Sequence, residues 1–201
     1  MLSKRMKTLW ILLLAVVLTA CATKVERIDS EEVRDLSGSW NDTDSRLVSE
    51  EMIRDVLSRP WINRYTRSHG GEPPVVIVGE VRNLSHEHIN VNTFVADMER
   101  ALINSGNVEV VASSTERGEV RGERKDQDLH ASEGSRNVMG EEAGADFMLK
   151  GTINTIIDAE GKKQVKFYQV DLTLISMADN RKVWVGQKKI KKFVDKRSLR
   201  F

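Results

Sequence analysis

Cysteine occurs once in the 201 residues, at Cys21. A lone thiol excludes an intramolecular disulfide and any cluster of cysteine metal ligands. The fold must therefore rest on an ordinary apolar core, which one domain of roughly 150 residues can supply. Histidine is scarce too: His69, His86, His88 and His130 all fall in polar stretches. No Gly-x-Ser-x-Gly turn is present, so a serine nucleophile on a hydrolase elbow has no sequence support. "GEVRGER" (Gly118 to Arg124) offers glycines and arginines but lacks the Gly-Lys-Ser/Thr ending of a phosphate loop. There is no internal repeat, no low-complexity tract and no sustained heptad.

What is present begins at the N-terminus. Lys4, Arg5 and Lys7 precede an almost wholly apolar run from Leu9 to Leu18, followed by Thr19 and Ala20. That is the layout of a secretory signal peptide over residues 1–20. The run is shorter than the roughly 20 apolar residues of a membrane span. Leu18-Thr19-Ala20-Cys21 resembles a bacterial lipobox, which implies cleavage before Cys21 and acylation of its thiol and new amine. Acyl chains anchor by about 0.8 kcal/mol per buried CH₂. Alanine at position 22 resembles the outer-membrane sorting pattern of Gram-negative lipoproteins. Nucleic acid is then not an expected partner. Residues 21–36 read as a lipidated N-terminus and a polar tether, Ala22 to Leu36, spanning about 50 Å at full stretch. A single domain is expected over 37–195, with a basic tail over 196–201.

Within the domain, Val48, Met52 and Val56 recur every four residues behind the capping types Asn41, Asp42, Thr43 and Asp44, which predicts a helix over about Asp44–Ser58. Pro60 stops it or opens a short turn through Trp61 and Tyr65. Val75 to Val78 is a continuous apolar run, read as a strand buried on both faces, with Val81 as an extension. Val91, Phe94, Val95, Met98 and Leu102 predict a second helix ended by Gly106. Val108 to Ala112 reads as a short strand. Gly118 and Gly122 weaken any helix in the charged stretch Ser113–Asp128. Val138, Met139 and Ala143 predict a better helix from about Ser132 to Gly144. After Phe147 the period becomes two: Phe147–Ile157, Val165–Ser176 and Val183–Val194 read as an antiparallel meander. The fold class is α/β: a mixed sheet with a C-terminal three-strand meander and helices packed on it.

Candidate chemistry is sparse. His86 and His88 would share one face of a strand and could hold a metal ion, but no third ligand is identified. Asp42, Asp44, Glu50 and Glu51 supply carboxylates. A glycosidase needs two of them about 5–10 Å apart in a cleft, and the spacing of Asp42 and Asp44 suits capping better. Lys188, Lys189, Lys191, Lys192, Lys196, Arg197 and Arg200 make the C-terminus basic. These side chains either guard an edge strand or meet an anionic partner. Trp40, Trp61 and Trp184 fit core packing or an interface. No catalytic residue and no cofactor is assigned; the pattern suits a binding module.

Several segments in order carry a family resemblance: "DLSGSWNDTDSRLVSEEMI" (Asp35–Ile53), "VVIVGEVRN" (Val75–Asn83), "FVADMERALINSG" (Phe94–Gly106) and "EEAGADFMLKGTI" (Glu141–Ile153). Together with the meander they resemble LpoB-type proteins over about 35–195. The resemblance implies a fold similar to the N-terminal domain of TolB. It implies an outer-membrane lipoprotein without a reaction of its own. Such proteins bind a noncatalytic domain of a bifunctional class A penicillin-binding protein and stimulate peptidoglycan synthesis; a monomer is expected. Some members carry a long proline-rich linker, which this tether lacks. The fold type also resembles the periplasmic part of curli-export pore lipoproteins, which would require a ring and membrane-inserting hairpins. No family contact residue is carried over to this chain.

Overall fold

The computed structural model describes residues 25–137, 140 and 142–196. Two compact units divide the chain at Val33/Arg34. In the first, the described residues form a turn in which the Glu32 N–H donates to the Asp29 carbonyl (3.1 Å). The second unit contains every helix and strand described below.

Helix α1 (Asp42–Ser58) starts two residues before the predicted point. Asn41 caps it: its side chain accepts from the Asp44 N–H (3.0 Å) and the Asp44 carboxylate accepts from the Asn41 N–H (3.0 Å). This reciprocal pair satisfies two amides that the first turn leaves open. Val48, Met52, Ile53 and Val56 form its buried face. Arg59, preceding Pro60, is extended (ψ 154°), which ends the helix. Pro60 then opens α2 (Trp61–Ser68), a fuller helix than a single turn.

Strand β1 (Val75–Asn83) leads through α3 (Val91–Ser105) to β2 (Glu109–Val111). Asn90 caps α3, and Gly106 closes it at φ 65°, a left-handed conformation that costs glycine little. Strands β3 (Phe147–Glu160), β4 (Lys163–Ser176) and β5 (Lys182–Asp195) follow as the meander. The sheet order is β2-β1-β3-β4-β5. β1 pairs in parallel with both β2 and β3, while β3–β4 and β4–β5 are antiparallel. The mixed sheet read from the sequence is the one observed.

One face of this sheet carries the core. Phe147, Leu149 and Ile153 of β3, Val170, Leu172 and Leu174 of β4, and Trp184 of β5 are buried there with Val48, Met52, Phe94, Met98 and Leu102 of the helices. A register shift between Val78 and Val81 changes the parity of β1. It lets Val76, Val78 and Val81 all join the core. Trp61 and Tyr65 of α2 meet Phe147 edge-on, at 5.0 and 5.5 Å between ring centroids.

The charged stretch departs from expectation. Helix α4 spans Ser114–His130, and Ala131–Asn137 is non-helical. Ser113 supplies the signal that outweighs the two glycines: its hydroxyl accepts from the Glu116 N–H while the Glu116 carboxylate accepts from the Ser113 N–H (2.7 Å). Glu119 and Arg121, both good helix formers, lie between the glycines, and Gln127 bonds Glu123 one turn back (3.0 Å). Of the helix predicted over Ser132–Gly144, Val138 and Met139 lie outside the described residues. α4 buries no residue. Arg121 grips Glu142 with two bonds of 2.8 Å, tying the helix to the segment that enters β3.

Candidate interaction surface

The residues singled out from sequence scatter. Cys21, Arg197 and Arg200 lie outside the described residues. His86 and His88 are exposed in a loop, and His86 Nδ1 sits 2.9 Å from Thr155 Oγ1. His69 stacks on Tyr65 at 3.8 Å, and His130 lies 3.7 Å from Asp126. Among the described residues no group of three or more His, Cys, Asp or Glu is placed to hold a metal ion. Asp44 belongs to the α1 cap, Glu50 lies 3.7 Å from Arg46, and Glu51 pairs with Lys188. Trp61 and Trp184 are buried and Trp40 half-buried, each with its indole N–H donating at 2.7 Å: to the Val56 carbonyl, Asp55 Oδ2 and Ser45 Oγ respectively.

The residue that sequence reasoning missed is Glu87, between the two histidines. Its carboxylate turns inward and accepts three bonds: Lys166 Nζ (2.6 Å), Tyr168 Oη (2.8 Å) and the Trp40 backbone N–H (3.0 Å). Burial opposes its ionisation, but the Lys166, Trp40 and Tyr168 bonds outweigh burial and hold the carboxyl below the usual glutamate range. Burial, reinforced by Glu87, pushes the Tyr168 phenol up. Lys166 also donates to Ser39 Oγ (3.0 Å). A second ammonium, Lys192, lies 2.6 Å from Asp44 and 2.7 Å from Asp35. Burial would lower its pKa, yet Asp35 and Asp44 raise it overall. These bonds fasten Asp35–Asn41, a strap leading into α1, across the ends of β4 and β5. Gly38 (φ 66°) lies against Val194, where a Cβ would overlap the valine side chain.

The basic strand β5 is divided by its pleat. Lys188 and Lys192, and Lys166 opposite Lys192 on β4, face the helices and are all engaged by carboxylates. Lys189 and Lys191 point to the other face, where they are exposed and make no ion pair among the described residues. Period two thus separates lysines that hold the fold together from lysines that it leaves free.

Among the described residues, that other face is largely uncovered over β3–β5. Ile156, Phe167 and Lys191 stand in one cross-strand row; Asp158, Val165 and Phe193 stand in the next. Ile156 is 67% and Phe193 65% exposed. Toward β1, the start of α4 (Ser114–Arg117) shares a cleft of about 700 Å³ with Ile77, Met148 and Lys150 of the same face. Its carboxylates include Glu99, pushed up by burial and by Glu116, and Glu116 itself, already bonded to Ser113. A second cleft, about 950 Å³, runs between the strap and the β4–β5 edge, with Leu36, Lys191 and Phe193 among its lining.

The class defined by this arrangement is a small mixed α/β domain whose internal polar groups are mainly spent on structure and whose open sheet face is free for contact. The chain belongs to the family described as peptidoglycan-synthase activator LpoB, which matches residues 44–190, from α1 into β5. Similar solved structures include the LpoB C-terminal domain from Escherichia coli, at 14% identity, covering 74% of this chain and 99% of that one with a TM-score of 0.46. The lipoprotein GNA1162 from Neisseria meningitidis is 17% identical, covering 60% of this chain and 84% of that one, with a TM-score of 0.38. The PelC dodecamer from Paraburkholderia phytofirmans is 13% identical, covering 63% and 75%, with a TM-score of 0.33. No curated protein matches the chain. Among the described residues, no helix is long and apolar enough to cross a membrane.

Proposed function

We propose that this protein is a lipid-anchored, noncatalytic activator of a class A penicillin-binding protein. On this reading residues 1–20 are removed, Cys21 carries the acyl anchor in the outer membrane, and the domain faces the periplasm as a monomer. The observation that carries the reading is the family match, which runs through the helices and strands that build the domain. Activation then works by linkage: the activator binds the working form of the synthase better than the resting form, and its differential affinity shifts the population. No step of glycan chemistry is assigned to this chain.

The test is glycan polymerisation by the purified synthase with and without the mature acylated protein. A concentration-dependent rise in rate is expected, and Glu99→Gln, which removes the cleft carboxylate with the raised pKa, retains it. A flat rate across concentrations overturns the activator reading. Glycan turnover by this protein in the absence of the synthase overturns the noncatalytic part.

A further inference from the structure

We propose that the open face of β3–β5, centred on Ile156, Phe167 and Phe193, is the surface that docks the synthase, and that the partner patch is apolar at its middle and acidic where it meets β5. The inference rests on the activator reading above and assigns it a face.

Four observations converge. Aromatic residues make up only 5% of the chain, and of the four phenylalanines among the described residues, Phe94 and Phe147 are buried while Phe167 and Phe193 stand on this face. A chain with few aromatics has kept two where they contribute nothing to the helix-side core, and aromatics are the side chains that anchor interfaces. Elsewhere the exposed apolar side chains, such as Leu47, Ile103 and Leu129, sit on separate helices, which is ordinary for a surface. Here Ile156 and Phe167 are directly opposed, and Phe193 is in the next row.

Charge is zoned in the rows that hold the apolar residues. Lys191 lies on the β5 side and Asp158 on the β3 side, with Lys189 one row further along β5. In the row beyond Asp158, by contrast, Glu160 stands opposite Lys163 and Lys163 opposite Asp195. Asp171, between the zones, is already held by Gln169 and Gln187, at 2.8 Å each. The pairing of Lys188 and Lys192 with carboxylates shows that β5 does not need unpaired lysines to fold. A lipid surface of one sign would attract one zone and repel the other. A protein surface with opposite zoning meets both and is fixed in orientation by them. The area also suits a protein. Three strands of 14 residues each, at ~3.4 Å per residue and ~4.8 Å apart, offer about 600 Å². That approaches the roughly 800 Å² that each partner contributes to a standard interface.

The experiment places a photo-crosslinking phenylalanine analogue in the full-length chain in intact cells, at position 193 or 156, and at 103 on the helix side. The captured synthase is identified by fluorescent penicillin. Crosslinks from 193 and 156 but not from 103 are expected. Crosslinks to the synthase from 103 alone overturn the face assignment and leave the activator reading standing. Absence of the synthase at every position, together with flat polymerisation rates, overturns both. A crosslink from 193 to a second copy or to lipid, with none to the synthase, also overturns the docking surface. In parallel, a Lys189→Glu, Lys191→Glu variant binds the purified synthase at least about tenfold more weakly at low salt, while its melting temperature is unchanged. Retained synthase affinity, with binding lost only to phosphatidylglycerol vesicles, assigns the lysines to the membrane and overturns the proposal.

Discussion

Glu87 and Lys166 meet at 2.6 Å across 79 residues of chain, and both side chains are more than four-fifths buried. Two ions withdrawn from water are costly unless each is fully bonded. Here the carboxylate has three donors and the ammonium a second acceptor in Ser39. Glu87→Ala leaves Lys166 charged and stranded, so it is expected to destabilise the domain by about 3–5 kcal/mol. A Glu87→Gln, Lys166→Met double variant removes both charges and is expected to recover much of that loss. Urea unfolding of the double variant and of the Glu87→Gln and Lys166→Met single variants measures the coupling.

The same network fixes a pH window. Glu87 has a folded pKa below the ordinary 4.5. Its contribution is complete above that value and disappears as pH falls through the folded pKa. Lys192 has a folded pKa above the ordinary 10.5. Its contribution is complete below that value and disappears as pH rises through the folded pKa. Trp40, bonded to Glu87 through its backbone N–H and packed at 5.6 Å on Tyr168, reports the state of the strap. Its fluorescence is expected to be flat across neutral pH and to change on acidification below 4.5, before global unfolding seen by far-ultraviolet dichroism. Coincident acid transitions by the two probes would show that the strap does not release separately.

Helix α4 buries no residue, so it stands on local interactions and on the Arg121–Glu142 tie. Ser113→Ala removes half the capping box and is expected to weaken the helix by about 1 kcal/mol. Gly118→Ala and Gly122→Ala meet open space and are each expected to strengthen it by about 0.8–1 kcal/mol. Amide exchange within Ser114–His130 reads these changes, while the protection of β3 and β4 stays constant.

Gly186 is required by packing. A Cβ there would overlap the Trp184 ring, with Met52 close behind. Gly186→Ala is expected to cost about 1–3 kcal/mol through displacement of the indole. Loss of the Trp184–Asp55 hydrogen bond (2.7 Å) would appear as a shifted indole N–H resonance.

Cys21→Ala is expected to abolish incorporation of a fatty-acid probe and release the protein from the membrane fraction. Persistent label on that variant would refute the anchor.

How far the sequence could be read depended on how local each cause is. Val48, Met52 and Val56 announce α1 because three side chains at one spacing share a face, and the meander announces itself by alternation through Tyr168, Val170, Leu172 and Leu174. Helix α4 was misplaced because Gly118 and Gly122 were weighed without the Ser113–Glu116 cap. That cap is written in adjacent residues and could have been seen. Glu87 could not: its partners Trp40, Lys166 and Tyr168 are distant in sequence, and its histidine neighbours suggest a metal instead. The division of the C-terminal lysines needed the register of β5, which only pairing with β4 supplies.

The strap bears on how the domain takes mechanical load. Any tension drawn along the N-terminal segment arrives at Asp35–Asn41, and there it meets the ammonium groups of Lys166 and Lys192 on adjacent strands. The bonds at Asp35, Ser39 and Asp44 take that load in succession, so the sheet and helices behind them are shielded until all three have yielded. The fold thus carries a mooring cleat at the point where a rope would be tied.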